Sequence, residues 1–126
     1  MIGYAMLGTN NLPAASAFYD ALFDSIGIKR LMEFPKGPAY GVSWDKPMLG
    51  ITIPYDDQPA TAGNGTMIAL AAGSRKHVDT MHARALELGG SCEGKPGIRG
   101  EEAQGFYGAY FRDLDGNKLC AFHVGA

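Results

Sequence analysis

The apolar positions come in two repeating sets. Ile2 to Thr9 is a short apolar run that suits a buried strand. Asn10-Asn11 then offers a helix N-cap, and Pro13 falls in the first turn, where its missing N–H does no harm. Ala14, Ala17, Phe18, Ala21 and Leu22 recur at helical spacing and predict a helix to about Ser25, with Gly27 as its stop. Strands are expected at Ile28 to Phe34, Ala39 to Trp44 and Met48 to Ile53. The turns Pro35-Lys36-Gly37-Pro38 and Asp45-Lys46-Pro47 separate them. Residues 54–65, rich in Pro, Asp, Gly and Thr, read as a linker.

The order then starts again. Thr66 to Ala71 reads as a strand, and Ser74 caps a helix whose apolar stripe is Val78, Met81, Ala85 and Leu88. Gly89-Gly90 ends that helix. Ser91 to Glu93 begins a weak strand, and Lys95 to Gln104 reads as a glycine-rich loop. Gly105 to Arg112 is an aromatic strand, Asp113-Leu114-Asp115-Gly116 a tight turn, and Asn117 to Val124 the last strand. Each half is thus strand, helix, three strands. The first strands start near Tyr4 and Met67, a period of 63 residues. This predicts one α+β domain over residues 1–126, built of two βαβββ modules at roughly 1–54 and 65–126. The sheet of each module has one face covered by its helix. Side by side, the two sheets would make a curved mixed-sheet cup with helices on the outer face, a natural small-molecule site.

Composition removes several alternatives. The chain has 126 residues, 46% apolar and 19% charged, which is ordinary for a folded domain. Its net charge is −2, and Lys29-Arg30 and Arg75-Lys76 are isolated basic pairs, so nucleic acid is not an expected partner. No apolar stretch approaches the ~20 residues of a membrane span. The start, Met1-Ile2-Gly3-Tyr4, lacks the basic and apolar regions of a signal peptide. Cys92 and Cys120 are too few for a disulfide framework, and reduced thiols in a cytoplasmic protein are expected.

The stretch from Phe106 to Leu119, with Asp113-Leu114-Asp115-Gly116-Asn117 at its centre, resembles the last hairpin of the glyoxalase/bleomycin-resistance/extradiol-dioxygenase superfamily. That hairpin typically reads aromatic strand, D-P-D-G-N, then a strand carrying a metal-binding Glu. Here Leu114 stands where Pro is usual. Gly8 to Asp20, with Ala17-Phe18-Tyr19-Asp20, resembles the family's first strand and helix, and Val78 to Gly90 its second helix.

Many members hold one divalent metal with His, Gln or Glu on the first and last strand of each module. The resemblance places those positions at Tyr4, near Gly50, at Met67 and at Cys120. A phenol, a glycine, a thioether and a thiol are not the donors a hard metal takes. No metal ligand set and no cofactor are therefore expected, which puts glyoxalase or ring-cleaving chemistry in doubt. His77, His82 and His123 do not restore a set. The first two sit poorly for a shared helix face, and His123 falls on the opposite sheet face from Cys120.

If the family register holds, period-two alternation turns Tyr4 and Met6, Met67 and Ala69, and Cys120 and Phe122 toward the cup. Tyr110 and Arg112 share a face of the aromatic strand. Tyr4, Met6, Met67, Tyr110, Arg112, Cys120 and Phe122 are the expected ligand-binding residues, although plain sheet packing also accounts for them. Cys120 is a poor candidate nucleophile, since no helix N-terminus is near and only Lys118 shares its face. His82 reads as a packing residue and Trp44 as core or rim. Arg99 and Glu101-Glu102 lie in a loop that could close over the cup. No catalytic residue is assigned. Two function classes stand: a divergent enzyme acting on a small, largely apolar molecule, or a non-catalytic protein that sequesters one. The resemblance implies a homodimer, which would cover cup and sheet edges.

Overall fold

Tyr4–Gly8 forms β1, and the chain leaves it for helix α1, Leu12–Asp24. The helix starts where the capping chemistry places it. The Asn11 side chain accepts from Ala14 N–H at 3.1 Å, and Pro13 occupies the first turn. Three strands follow: β2 (Lys29–Phe34), β3 (Gly37–Gly41) and β4 (Met48–Thr52). The second half repeats the order with β5 (Ile68–Ala71), α2 (Arg75–Glu87), β6 (Ser91–Ile98), β7 (Phe106–Arg112) and β8 (Lys118–Val124). Helix α2 is capped by Ser74, whose Oγ accepts from His77 N–H at 3.1 Å. The computed structural model describes all of residues 1–126.

The strands pair into two four-stranded mixed sheets, in the orders β1-β4-β3-β2 and β5-β8-β7-β6. In each, the first strand runs parallel to the last and the remaining pairs are antiparallel. No ladder joins one sheet to the other, so β1 and β5 are edge strands. The expected α+β architecture of two βαβββ modules is the one found.

One hydrophobic core runs through both modules. Phe18, Leu22 and Phe23 of α1 meet Leu7, Leu49 and Ile51 of the first sheet. Val78, Met81 and Ala85 of α2 meet Ala109, Phe111, Leu119 and Ala121 of the second. These strand residues share a parity, so the other parity turns away from the helices. On the first sheet that face carries Tyr4 and Met6, which are 67% and 51% exposed. Thus the period-two reading of Tyr4 and Met6 is correct.

Three local expectations need correction. The glycine-rich loop was expected from Lys95, but β6 continues to Ile98. It does so with two register shifts, around Gly94 and before Gly97, and it is an edge strand, where Pro96 is tolerated. Residues 102–104 then form a short 3₁₀ turn. The first strand-to-strand turn of the first module is tighter than expected, and Gly37 and Pro38 belong to β3. Gly37 must be glycine, because a Cβ there would lie 1.8 Å from the Ile51 carbonyl oxygen. Finally, β3 stops at Gly41 rather than at Trp44, which lies in the following connection, 64% exposed.

A buried carboxylate ties the halves together. Asp113, 6% exposed, accepts from Tyr19 Oη of α1 at 2.6 Å and from Asn117 Nδ2 at 2.9 Å on one oxygen. Its other oxygen accepts from the backbone N–H groups of Asp115 and Asn117, each at 2.9 Å. Asn117 Nδ2 also donates to the Gly8 carbonyl at 2.9 Å, which pins the end of β1 to the start of β8. Asp113→Ala is expected to cost about 3 kcal/mol or more, since it strands several buried donors, and Tyr19→Phe about 1–2 kcal/mol, both read from urea unfolding. The Tyr19 hydroxyl is pushed well above the usual tyrosine range, first by burial and then by the Asp113 carboxylate. Its folded pKa exceeds its unfolded one, so that stability is intact below about pH 10 and declines as pH rises further. Unfolding curves recorded across that range are expected to show the decline in the wild type and less of it in Tyr19→Phe.

Candidate functional site

The face of the first sheet turned away from α1 is almost wholly apolar. Tyr4 pairs with Met48 and Met6 with Gly50 across β1–β4, while Ala39 pairs with Gly50 and with Met32 across the next two ladders. Together with Phe34 these residues line a cavity of about 430 Å³. Gly50 leaves room at its floor, since a Cβ there would meet Met6 Cε at 3.2 Å. The Tyr4 hydroxyl is the polar handle of this wall. Unbranched thioethers adapt to irregular ligands at little cost, and three methionines line this cavity.

The matching face of the second sheet is built differently. Register puts Tyr110 opposite Cys120, Gly108 opposite Phe122 and Arg112 opposite Lys118. Phe122 stacks on Phe106 with centroids 5.3 Å apart. The Arg99 guanidinium and the Lys118 ammonium lie 5.3 and 5.7 Å from the centre of the Tyr110 ring. Arg99 is held there by the Lys95 and Gly97 carbonyls, so this residue does fold back over the sheet. Glycine at position 94 makes this possible, because a Cβ would approach both Tyr110 and Arg99 to about 3 Å. Glu101 and Glu102 remain exposed. Arg112 Nε donates to Glu93 at 2.6 Å.

Cys120 sits under this layer, 1% exposed, beside Tyr110. Burial pushes its thiol above the usual range. The Tyr110 hydroxyl and the Arg99 and Lys118 charges oppose that shift without reversing it. Tyr110 is itself raised, by burial and by Cys120. At neutral pH both groups are protonated, so this face presents neither a thiolate nor a phenolate.

The expected binding residues therefore divide. Tyr4 and Met6 share the apolar cavity. Tyr110, Arg112, Cys120 and Phe122 share the cationic and aromatic face. Met67, 42% exposed, lies just before β5, beside Arg112 and Lys118. Met32, Phe34 and Met48 escaped sequence reasoning because their place opposite Tyr4 and Met6 depends on strand order. Lys118 and Arg99 were legible only as neighbours.

The positions of the family metal can now be tested by register. Met6 faces Gly50 and Ala69 faces Cys120 in the parallel ladders, whereas Tyr4 faces Met48, and Met67 precedes the ladder that begins with Ile68. Neither register supplies an imidazole or a carboxylate. The three histidines lie apart from this face. The His123 Nδ1–H donates to Ala72 O at 3.0 Å, and His82 Nε2 lies 3.3 Å from Cys92 Sγ on the helix side. No three His, Cys, Asp or Glu side chains converge to hold an ion. The donor set does not fit the superfamily's metal.

Comparison with known proteins settles the lineage. The model of the Glyoxalase/Bleomycin resistance protein/Dioxygenase superfamily matches residues 1–121. The chain belongs to that superfamily. It is 40% identical to a glyoxalase/bleomycin resistance protein from Albidiferax ferrireducens T118, with a TM-score of 0.87 and 98% of each chain covered. A family enzyme from Burkholderia phytofirmans PsJN shares the fold at 18% identity, with a TM-score of 0.75 and 98% of each chain covered. So does a lactoylglutathione lyase from Agrobacterium tumefaciens, at 21% identity and a TM-score of 0.68, over 98% of this chain and 92% of that one. No curated protein matches the chain. No helix is long and apolar enough to cross a membrane.

The two thiols of this superfamily member differ in environment, one exposed and one buried. Iodoacetamide at neutral pH is expected to alkylate Cys92 well before Cys120, with peptide mass mapping as the readout. Equal rates at the two would show that the buried face opens readily.

Proposed function

We propose that this chain is a small-molecule-binding member of its superfamily that works without the superfamily's metal, holding its ligand against the open sheet faces. The observation that carries this is the cavity of about 430 Å³ behind Tyr4 and Met6, walled by methionine, Phe34 and Ala39. A concave apolar wall with one hydroxyl suits a largely apolar ligand. Metal independence rests on the donor chemistry at Tyr4 or Met6, Gly50, Met67 or Ala69, and Cys120.

Sequestration is favoured over turnover by the state of the polar groups. Cys120 is raised by burial, and the histidines lie away from the open faces. A general base or activated nucleophile needs a pKa shifted toward neutrality. We further propose that the working form is a cytoplasmic homodimer. Exposed Tyr4, Met6, Phe34 and Trp44 support it, being the kind of surface a second copy covers.

The deciding experiment is a ligand screen read by thermal stability, on protein purified without a metal-affinity tag and dialysed. Apolar ligands are expected to raise the melting temperature, and Met6→Glu, at an exposed position, to weaken them about tenfold or more. Nickel, zinc, manganese and iron(II), titrated in parallel, are expected to leave it unchanged. Stoichiometric stabilisation by any of them would overturn the metal-free reading. Light scattering coupled to sizing is expected to return twice the chain mass.

A further inference from the structure

Beyond the apolar cavity, the second sheet ends in a polar one. Residues 62–66 of the linker close over the start of β8 and leave a space of about 420 Å³. Arg112 and Lys118, directly paired across β7–β8, form one wall, and Asn64 and Thr66 contribute an amide and a hydroxyl. No carboxylate lines the space. Gly63 and Gly65 carry the loop through positive φ, at 76° and 94°, which a side chain would resist. At Gly63 a Cβ would also stand 2.8 Å from Thr66 Oγ1.

The charges of this space are incompletely used. Arg112 donates through Nε to Glu93 and through Nη1 to the Gly116 carbonyl, which leaves Nη2 without a protein acceptor. The Lys118 ammonium makes no hydrogen bond or ion pair within the protein and lies near the Tyr110 ring instead. Glu93 is the one opposing charge nearby. Its carboxyl is held below the usual range, first by the hydrogen bond and charge of Arg112 and last by the charge of Lys118, so it pairs with Arg112 and offsets Lys118 only from a distance. A free ammonium, a guanidinium edge and neutral donors around a space without carboxylates match the needs of an oxyanion.

We propose that this cavity is an oxyanion site, which takes a carboxylate or phosphoryl group of a small ligand whose body lies along the Tyr110 face. The second half of that statement rests on the proposed function above; the anion site itself does not. Tyr110 supplies an aromatic surface next to the charge, so an aryl or apolar acid fits better than a free inorganic ion.

The test is a titration of the isotopically labelled full chain with inorganic phosphate, and separately with benzoate, followed by amide chemical shifts. Saturable shifts are expected at residues 63–66 and at Lys118. Lys118→Met is expected to weaken binding about tenfold, Lys118→Arg to retain it, and Glu93→Gln, which frees Arg112, to tighten it. Tighter phosphate would mark a phosphoryl ligand and tighter benzoate a carboxylate. Absence of saturable shifts with both anions, or binding insensitive to Lys118→Met, would overturn the site. Anion binding here without any apolar ligand at Met6 would sink the proposed function alone, and the converse would sink this site alone.

Discussion

The Asp113 carboxylate is the joint on which the two modules turn. It organises the β7–β8 hairpin from within, by accepting from the backbone of Asp115 and Asn117. It also reaches outside the hairpin to Tyr19 of α1. The same hairpin sends Asn117 to the Gly8 carbonyl at the end of β1, and Asp115 accepts from Asn10 N–H. A four-residue turn thus orients one module against the other. It also sets Arg112, the last residue of β7, directly opposite Lys118, the first residue of β8. The carboxylate is buried yet fully hydrogen-bonded, which is the condition under which such a group stabilises a fold rather than strains it. Leu114, in place of a turn proline, is 45% exposed and makes no part of this network.

The modules share their topology and differ in the chemistry of their open faces. Met6 and Gly50 of one occupy the places that Ala69 and Cys120 hold in the other. The first face is soft and apolar, with methionines around a glycine floor. The second is aromatic and cationic, with Phe106 stacked on Phe122 and Tyr110 flanked by Arg99 and Lys118. An apolar wall and a cationic aromatic wall are complementary to different parts of one amphiphilic molecule. That division bears more directly on ligand class than fold membership does, because this scaffold hosts many chemistries.

Local signals made much of the architecture legible. Asn11 and Ser74 mark helix starts through capping chemistry, which is local, and both caps form. The Asp113–Gly116 turn was legible for the same reason, with Gly116 at φ 85°. What failed was non-local. Gly94, Pro96 and Gly97 look like a loop to any propensity argument, yet β7 offers a ladder and the edge position forgives the proline. Pro38 lies in β3, where the Ile51 carbonyl of the next strand packs against Gly37, a contact fourteen residues away in sequence. The Tyr4 and Met6 face followed from period-two alternation alone. The residues completing it, Met32, Phe34 and Met48, depend on strand order, which no local pattern encodes. The approach of His82 to Cys92 was invisible for the same reason, since it joins a helix to a sheet edge.

The remaining question is what a cysteine does where a relative would carry a metal-binding carboxylate. A carboxylate at position 120 would be buried, among the groups around Tyr110, and would need a cation to compensate it. A thiol needs none. It remains neutral under the burial that raises its pKa, and its weak polarity is met by the Tyr110 hydroxyl beside it. With a neutral thiol at position 120, the nearby cations meet no anion there. Arg99 and Lys118 have no buried carboxylate to neutralise; Arg99 turns to backbone carbonyls, and Lys118 is left unpaired. A neutral thiol beneath a tyrosine ring flanked by two cations therefore leaves the second face cationic.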